Sequence, residues 1–237
     1  MASIQCSFAR IEKKYLLTRA QYRRILPALQ AHTEPDEYGQ YTICSIYYDT
    51  PDFALIRASL EKPVYKEKLR LRSYGVPTDD ARAFVELKKK FGGVVYKRRI
   101  TLAEKDAVRY LSGDASAAPD GQIRRELDFF LRQNPVAPRA FIGYDRTALR
   151  GRDDPELRIT FDTGLRCRLD RLDLRLGDDG EPLLPPDAVL MEVKLPGAAP
   201  LWLARLLSEN GIFPTSFSKY GTLYREHILK KELTHCA

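Results

Sequence analysis

Along Lys66-Glu67-Lys68-Leu69-Arg70-Leu71-Arg72-Ser73-Tyr74, cations recur two residues apart at Lys66, Lys68, Arg70 and Arg72, with Leu69 and Leu71 between them. Two is the strand period, so the four charges share one face of a strand and the leucines share the other. Like charges on one face repel, and no apolar core requires them to be aligned; a polyanion does. The alternation recurs. Glu12 and Lys14, Glu86 and Lys88, Lys97 and Arg99, Tyr144 and Arg146, Arg158 and Asp162, and Glu192 and Lys194 each fall on one face of a candidate strand. Arg70, Arg72, Arg146 and Arg158 are planar, permanently charged donors suited to bidentate phosphate contacts, and Lys14, Lys88, Lys97 and Lys194 supply point charges. Glu12, Glu86, Asp162 and Glu192 stand among them. Such carboxylates either pair with a neighbouring cation or hold a divalent metal that bridges phosphate oxygens. The metal reading comes first for Glu192 and is evenly weighed against ion pairing for the others.

Composition agrees with an anionic partner. The 237 residues carry a net charge of +7 with 44% hydrophobic residues, which describes a water-facing globular chain with a core. Cys6, Cys44, Cys167 and Cys236 are scattered, and His32, His227 and His235 are not at zinc-ligand spacing from them, so four free thiols in a reducing compartment are expected. No signal-peptide h-region opens the sequence and no apolar run approaches the ~20 residues of a membrane span. A cytoplasmic location is expected, with action at a membrane requiring a partner. No phosphate-cradling glycine loop, dinucleotide fingerprint or nucleophile elbow occurs, and no histidine is placed as a general base. Phosphoryl transfer needs none of these, because positioning and charge neutralisation supply most of its catalysis.

The elements that must position these side chains follow from pattern. Strands are expected at 8–16, 41–49, 64–74, 83–90, 94–100, 140–148, 157–162 (continued by Arg166 and Arg168) and 188–195. Phe91-Gly92-Gly93 and Asp178-Asp179-Gly180 read as turns. Helices are expected from the Thr18 cap to His32 (with a kink at Pro27), from Thr50-Pro51 to Glu61, from the Thr101–Glu104 capping box to Leu111, and over 121–132, 200–210 and 218–233. Residues 34–40 read as a loop. The expected architecture is α+β and a single domain over 1–237: an antiparallel sheet closed into a barrel, with a charged lumen and helices packed outside. A lumen of unpaired cations cannot stay dry, since each buried unpaired charge costs several kcal/mol.

Seven motifs in order resemble the VTC domain, the polyphosphate polymerase domain of the vacuolar transporter chaperone complex, in the triphosphate tunnel metalloenzyme (CYTH-like) superfamily. They are Glu12-Lys13-Lys14-Tyr15, Ser45-Ile46-Tyr47-Tyr48-Asp49-Thr50, Lys68-Leu69-Arg70-Leu71-Arg72-Ser73-Tyr74-Gly75, Val85-Glu86-Leu87-Lys88, Tyr144-Asp145-Arg146-Thr147-Ala148, Met191-Glu192-Val193-Lys194 and Phe217-Ser218-Lys219-Tyr220. The resemblance runs from about Phe8 to Tyr224. It implies a tunnel of antiparallel strands and transfer of the terminal phosphoryl group of ATP to inorganic polyphosphate, releasing ADP, with Mn²⁺ or Mg²⁺ assisting and phosphate or pyrophosphate as primer. It assigns phosphate-binding roles to Lys14, Arg70, Arg72, Lys88, Lys97, Arg99, Arg146, Arg158 and Lys219, a metal carboxylate to Glu192, and neighbouring positions to Tyr144 and Ser218. The hydrolytic branch of the superfamily opens with Glu-x-Glu-x-Lys; here the register reads Arg10-x-Glu12-x-Lys14, which favours the polymerase branch. A tunnel triphosphatase and a non-catalytic polyphosphate or inositol-phosphate binding module are the alternatives. Nucleic-acid binding ranks last, because basic residues that alternate along strands lack the outward display with stacking aromatics.

Overall fold

The period-two segments pair into one antiparallel sheet in a computed structural model that describes residues 11–92 and 94–231. Nine strands form: β1 (Ile11–Thr18), β2 (Thr33–Asp49), β3 (Tyr65–Tyr74), β4 (Arg82–Phe91), β5 (Val94–Ala103), β6 (Ala137–Gly151), β7 (Arg158–Arg168), β8 (Glu181–Pro182) and β9 (Ala188–Leu195). The helices are α1 (Arg19–His32), α2 (Ala54–Leu60), α3 (Glu104–Leu111), α4 (Gln122–Gln133), α5 (Leu201–Glu209) and α6 (Lys219–Leu223), the last running into a π-helical segment at Tyr224–Leu229. The hydrogen-bonded order is β1-β9-β7-β6-β2-β3-β4-β5, with β8 on β7. The expected closed barrel is therefore corrected: β1 and β5 end the order and do not pair with each other among the described residues. Periodicity assigns a strand its faces; it carries no information on whether the two outer strands meet.

By contacts the chain sorts into two compact units. The first holds the chain up to Tyr41, Asp145–Gly164 and Leu184–Phe217; the second holds Thr42–Tyr144, Leu165–Leu183 and the chain from Ser218. Each has its own core. In the first, Tyr15, Leu17, Ile159, Phe161, Met191 and Val193 from the strands meet Ile25 and Leu29 of α1 and Leu203 and Leu207 of α5. In the second, Ile46, Leu69, Leu71, Val85 and Leu87 meet Ala107, Tyr110 and Leu111 of α3 and Leu127 and Phe130 of α4. These are the apolar alternates of the charged positions, so burying one strand face fixes the direction of the other.

Local chemistry sets several boundaries. Thr18 caps α1 as expected, its Oγ1 accepting from the Gln21 N–H at 3.1 Å, and Gln21 Oε1 accepts from the Thr18 N–H at 3.0 Å. Residues 34–40, expected as a loop, lie within β2, and Thr101 does not start a helix: it continues β5 opposite Phe84, leaving Ala103 as the N-cap of α3. Pairing within the sheet outweighs a local capping signature. The helix expected from Thr50 starts instead at Ala54. Asp49, fully buried, accepts from the N–H groups of Thr50, Leu55 and Ile56 and from the Tyr220 hydroxyl at 3.0 Å. It thus ties β2, α2 and α6 together. Asp49→Ala is expected to destabilise the protein by roughly 3 kcal/mol, because several buried donors lose their acceptor at once. A urea midpoint matching that of the wild type would contradict this.

Candidate active site

In the second unit the sheet register stacks the cations. Lys68 lies opposite Lys88 and Lys88 opposite Lys97; Arg70 lies opposite Glu86 and Glu86 opposite Arg99. Over β3, β4 and β5 one face carries Lys66, Lys68, Arg70, Arg72, Lys88, Lys90, Lys97 and Arg99 against the single carboxylate of Glu86. Glu86 is 1% exposed. Its Oε2 takes Arg70 Nε at 2.8 Å and Nη2 at 2.7 Å, with Arg72 Nη1 at 3.8 Å; its Oε1 lies 2.6 Å from Lys97 Nζ and 3.8 Å from Arg99 Nη1. Burial alone would raise the Glu86 carboxyl pKa, but Arg70, Arg72 and Lys97 outweigh it and hold the group at about 2.

Polar neighbours aim the two arginines. Arg72, itself buried, donates from Nε to Ser45 Oγ at 3.2 Å and from Nη2 to Tyr144 Oη at 3.2 Å. Arg70 donates from Nη1 to Tyr47 Oη at 3.3 Å, and the Tyr47 ring stacks on Tyr220 with centroids 4.7 Å apart. Lys219 places its ammonium 4.2 Å from the centroid of the Tyr144 ring, a cation–π contact. Ser218 caps α6 through the Gly221 N–H and accepts from Lys68 Nζ at 3.0 Å. Arg70, Arg72, Lys88, Lys97, Arg99, Tyr144, Ser218 and Lys219 therefore gather in one unit. Lys68 belongs with them; its place in the alternation marked it, and its hydrogen bond to Ser218 gives it a position there.

Tyr47 was not foreseen as part of this site. Burial pushes its hydroxyl pKa up, yet Arg70, Arg72 and Lys68 outweigh that and bring it down to about 8. Its deprotonation adds a negative charge to the cationic face. Affinity for tripolyphosphate is therefore expected to fall several-fold above about pH 8, and Tyr47→Phe to abolish that fall, as read by calorimetry between pH 7 and 9.5. An identical pH profile in the variant would remove Tyr47 from the site.

In the first unit Lys14, Arg146, Arg158 and Lys194 are each matched to a carboxylate. Lys14 Nζ lies 3.2 Å from Glu12 Oε1 and 3.9 Å from Glu192 Oε2, and donates to the Phe217 carbonyl at 3.3 Å. Lys194 Nζ is 2.8 Å from Glu192 Oε1. Arg146 grips Asp162 with two bonds, Nε to Oδ1 at 2.6 Å and Nη2 to Oδ2 at 2.8 Å, and Arg158 Nη2 meets Asp36 Oδ2 at 3.1 Å. Burial raises the Glu192 carboxyl pKa, but Lys194, Lys14 and Arg146 together lower it well below the usual range. A phosphate bound by Lys14, Arg146, Arg158 or Lys194 would use the donors these carboxylates leave over, or exchange partners with them. Arg10, the cation replacing the first carboxylate of the hydrolytic motif, lies outside the described residues.

Of the four carboxylates considered for metal, Asp162 has both oxygens bound by Arg146, and the other three differ. Glu86 does not fit a divalent cation: both its oxygens are engaged by cations, and a metal would be a fifth positive centre beside Arg70, Arg72, Lys97 and Arg99. Glu12 and Glu192 converge on Lys14 Nζ, and Lys194 engages the other Glu192 oxygen, so a metal here would take the place of these two ammonium groups, which, unlike the guanidinium groups fixed on Glu86, can swing away. Thr160, opposite Glu192 on β7, has a buried hydroxyl with no hydrogen-bond partner among the described residues. Two carboxylates and a hydroxyl are hard oxygen donors of the kind Mg²⁺ and Mn²⁺ take alongside substrate phosphates. They are too few to form a complete cage, and no group of three or more acidic, histidine or cysteine side chains suited to a metal occurs among the described residues. Cys44 and Cys167 are buried, while Cys6 and Cys236 lie outside the described residues.

Comparison with known proteins gives the chain a family and a fold. A profile of the VTC domain matches residues 9–226. Vacuolar transporter chaperone complex subunit 4 of Schizosaccharomyces pombe is 31% identical over 145 residues, covering 52% of this chain and 20% of that protein. The Trypanosoma brucei brucei subunit of the same name is 29% identical over 255 residues, covering 85% and 32%. The chain thus spans a third or less of the length of these curated relatives. Among solved structures, a candidate adenylyl cyclase from Hippeastrum, HpAC1, with a dominant triphosphatase activity, superposes with a TM-score of 0.54 at 16% identity, covering 91% of this chain and 95% of that one. That likeness is one of fold. No described helix is long and apolar enough to cross a membrane. On a match that spans nearly its whole length, the chain belongs to the VTC domain family.

Proposed function

We propose that the chain is a cytoplasmic polyphosphate polymerase that transfers the terminal phosphoryl group of ATP to inorganic polyphosphate and releases ADP. The observation that carries this reading is the cationic face of the second unit, where β3, β4 and β5 place eight cations and one buried carboxylate on the same side and four of the cations meet on that carboxylate. A triphosphate or a polyphosphate chain complements the excess of cations over carboxylates on this face of β3, β4 and β5. Arg70 and Arg72, held by Glu86, Tyr47, Ser45 and Tyr144, present guanidinium groups with little freedom left to lose, which favours bidentate phosphate contacts. Lys68, Lys88, Lys97 and Lys219 add point charges that neutralise the oxygens of the phosphoryl group in flight. The attacking group is a terminal phosphate oxygen, ionised at neutral pH, so no side chain has to remove a proton from it. The P–O bond to ADP breaks as the new P–O–P link forms, and the charge moves onto ADP.

Glu192 and Glu12, with Thr160, are the residues that would hold Mn²⁺ or Mg²⁺, which when bound neutralises phosphate charge. Phosphate or pyrophosphate primes the chain in this scheme. The test is product analysis. Purified protein with ATP and Mn²⁺ is expected to give ADP and a ladder of long polymer on a gel stained for polyphosphate. Free phosphate without polymer would move the assignment to a triphosphatase, and neither product would leave a binding module.

A further inference from the structure

On the reverse of the strands that carry Tyr47, Arg70 and Arg72, the second unit encloses a cavity of ≈ 340 Å³. Tyr48, Leu71 and Glu104 form its buried wall, and Ser112, Ala137 and Pro138 stand exposed at its mouth. Tyr48 and Leu71 reach it by alternation: they are neighbours of Tyr47, Arg70 and Arg72 in sequence and point to the opposite face.

Glu104 is 0% exposed, and neither of its carboxylate oxygens accepts a hydrogen bond among the described residues. Its one charged contact is Arg175, whose Nε lies 3.4 Å from Oε2. That guanidinium is already committed, with Nη2 2.6 Å from Asp173 Oδ2 and Nη1 2.8 Å from Asp79 Oδ1. Arg168 lies near Asp173 but spends its donors on backbone carbonyls of the same segment. One guanidinium therefore serves three carboxylates, and Asp173 lines the cavity beside Glu104. Burial raises the Glu104 carboxyl pKa against the opposing pull of Arg175, with Asp173 and Asp79 adding to the rise. A buried acceptor left without a donor is costly in a folded protein, and here it stands at the wall of a space that a small ligand can enter.

We propose that this cavity binds a small organic cation: a primary ammonium on a short apolar body, its head seated between Glu104 and Asp173. An ammonium offers donors to the two Glu104 oxygens that accept no hydrogen bond, with the Asp173 carboxylate, already held by Arg175, adding negative charge beside it, and the apolar body covers the Leu71 side of the cavity. A bare inorganic cation would leave that apolar wall wet, and a neutral amphiphile would leave Glu104 with no cation beyond the Arg175 guanidinium it shares with Asp173 and Asp79.

Calorimetry with hexylammonium chloride as probe, and 1-hexanol as its uncharged counterpart, tests the assignment on the full chain. Hexylammonium is expected to bind one to one, at least tenfold more tightly than hexanol, and Glu104→Gln to remove most of that difference. Ala137→Trp, at an exposed position of the mouth, is expected to weaken hexylammonium at least tenfold and serves as the second variant if Glu104→Gln fails to fold. No binding of hexylammonium, equal binding of hexanol, or unchanged affinity in a folded variant would each overturn the proposal. Polyphosphate synthesis plays no part in these readouts, so failure here leaves the proposed function standing, and the reverse also holds.

Discussion

Replacing Arg72 by alanine is expected to cut polyphosphate synthesis at least a hundredfold while leaving the protein folded. Arg72 is 7% exposed and fixed from two sides, by Ser45 and Tyr144, with Glu86 3.8 Å from its third nitrogen. It is thus preorganised for an incoming phosphate, and removing one such donor from a reaction that relies on charge neutralisation costs on the order of 10²–10³ in rate. The fold should survive, because Arg70 and Lys97 still hold the Glu86 carboxylate at 2.7 and 2.6 Å. Arg72→Lys should recover only part of the activity: it restores a charge without the planar fork. Steady-state rates with ATP at matched circular dichroism decide the matter, and an alanine variant within threefold of the wild type would remove Arg72 from the site.

The second large effect concerns the carboxylate beneath the cations. Glu86→Ala leaves Arg70, Arg72, Lys97 and Arg99 facing one another, and loss of one partner from a buried ionic group costs about 3–5 kcal/mol. The pH dependence carries the same sign. The Glu86 pKa falls from its ordinary 4.5 to about 2 on folding, so its contribution is fully present above pH 4.5 and is lost as pH drops towards 2. At full burial that shift corresponds to about 3 kcal/mol. A phosphate chain should replace the missing counter-charge. Tripolyphosphate is therefore expected to raise the melting temperature of Glu86→Ala more than that of the wild type; an equal rise in both would show that the carboxylate and the ligand do not answer the same charges.

What could be read beforehand followed from alternation. Arg70, Arg72, Lys88, Lys97 and Arg99 share a face because the strand period is two, and burial of Leu69, Leu71, Val85 and Leu87 makes that face unambiguous. Partners distant in sequence were not legible. Arg158 meets Asp36, 122 residues away, and Tyr220 meets Asp49, 171 residues away, and nothing local announces either pair. The role of Glu86 was also hidden, since a carboxylate between lysines fits a metal or an ion pair equally well until its four cations are placed. Closure of the sheet was inferred from a charged face needing enclosure, but a charged face needs only solvent or a ligand. The Thr101 capping box failed for a different reason: β4 offered Thr101 a cross-strand partner in Phe84.

The most direct measurement is the salt dependence of polyphosphate binding to the wild type and to a Lys68→Gln/Lys97→Gln variant. Binding through a face of eight cations should weaken steeply between about 50 and 300 mM salt, and the double variant should bind more weakly with a shallower slope, by analogy with other polyanions. Lys13→Gln/Lys230→Gln, which removes the same charge from exposed positions elsewhere, should keep the wild-type slope. If the two double variants behave alike, binding follows net charge alone, and the cationic face of β3, β4 and β5 is not where the phosphate chain lies.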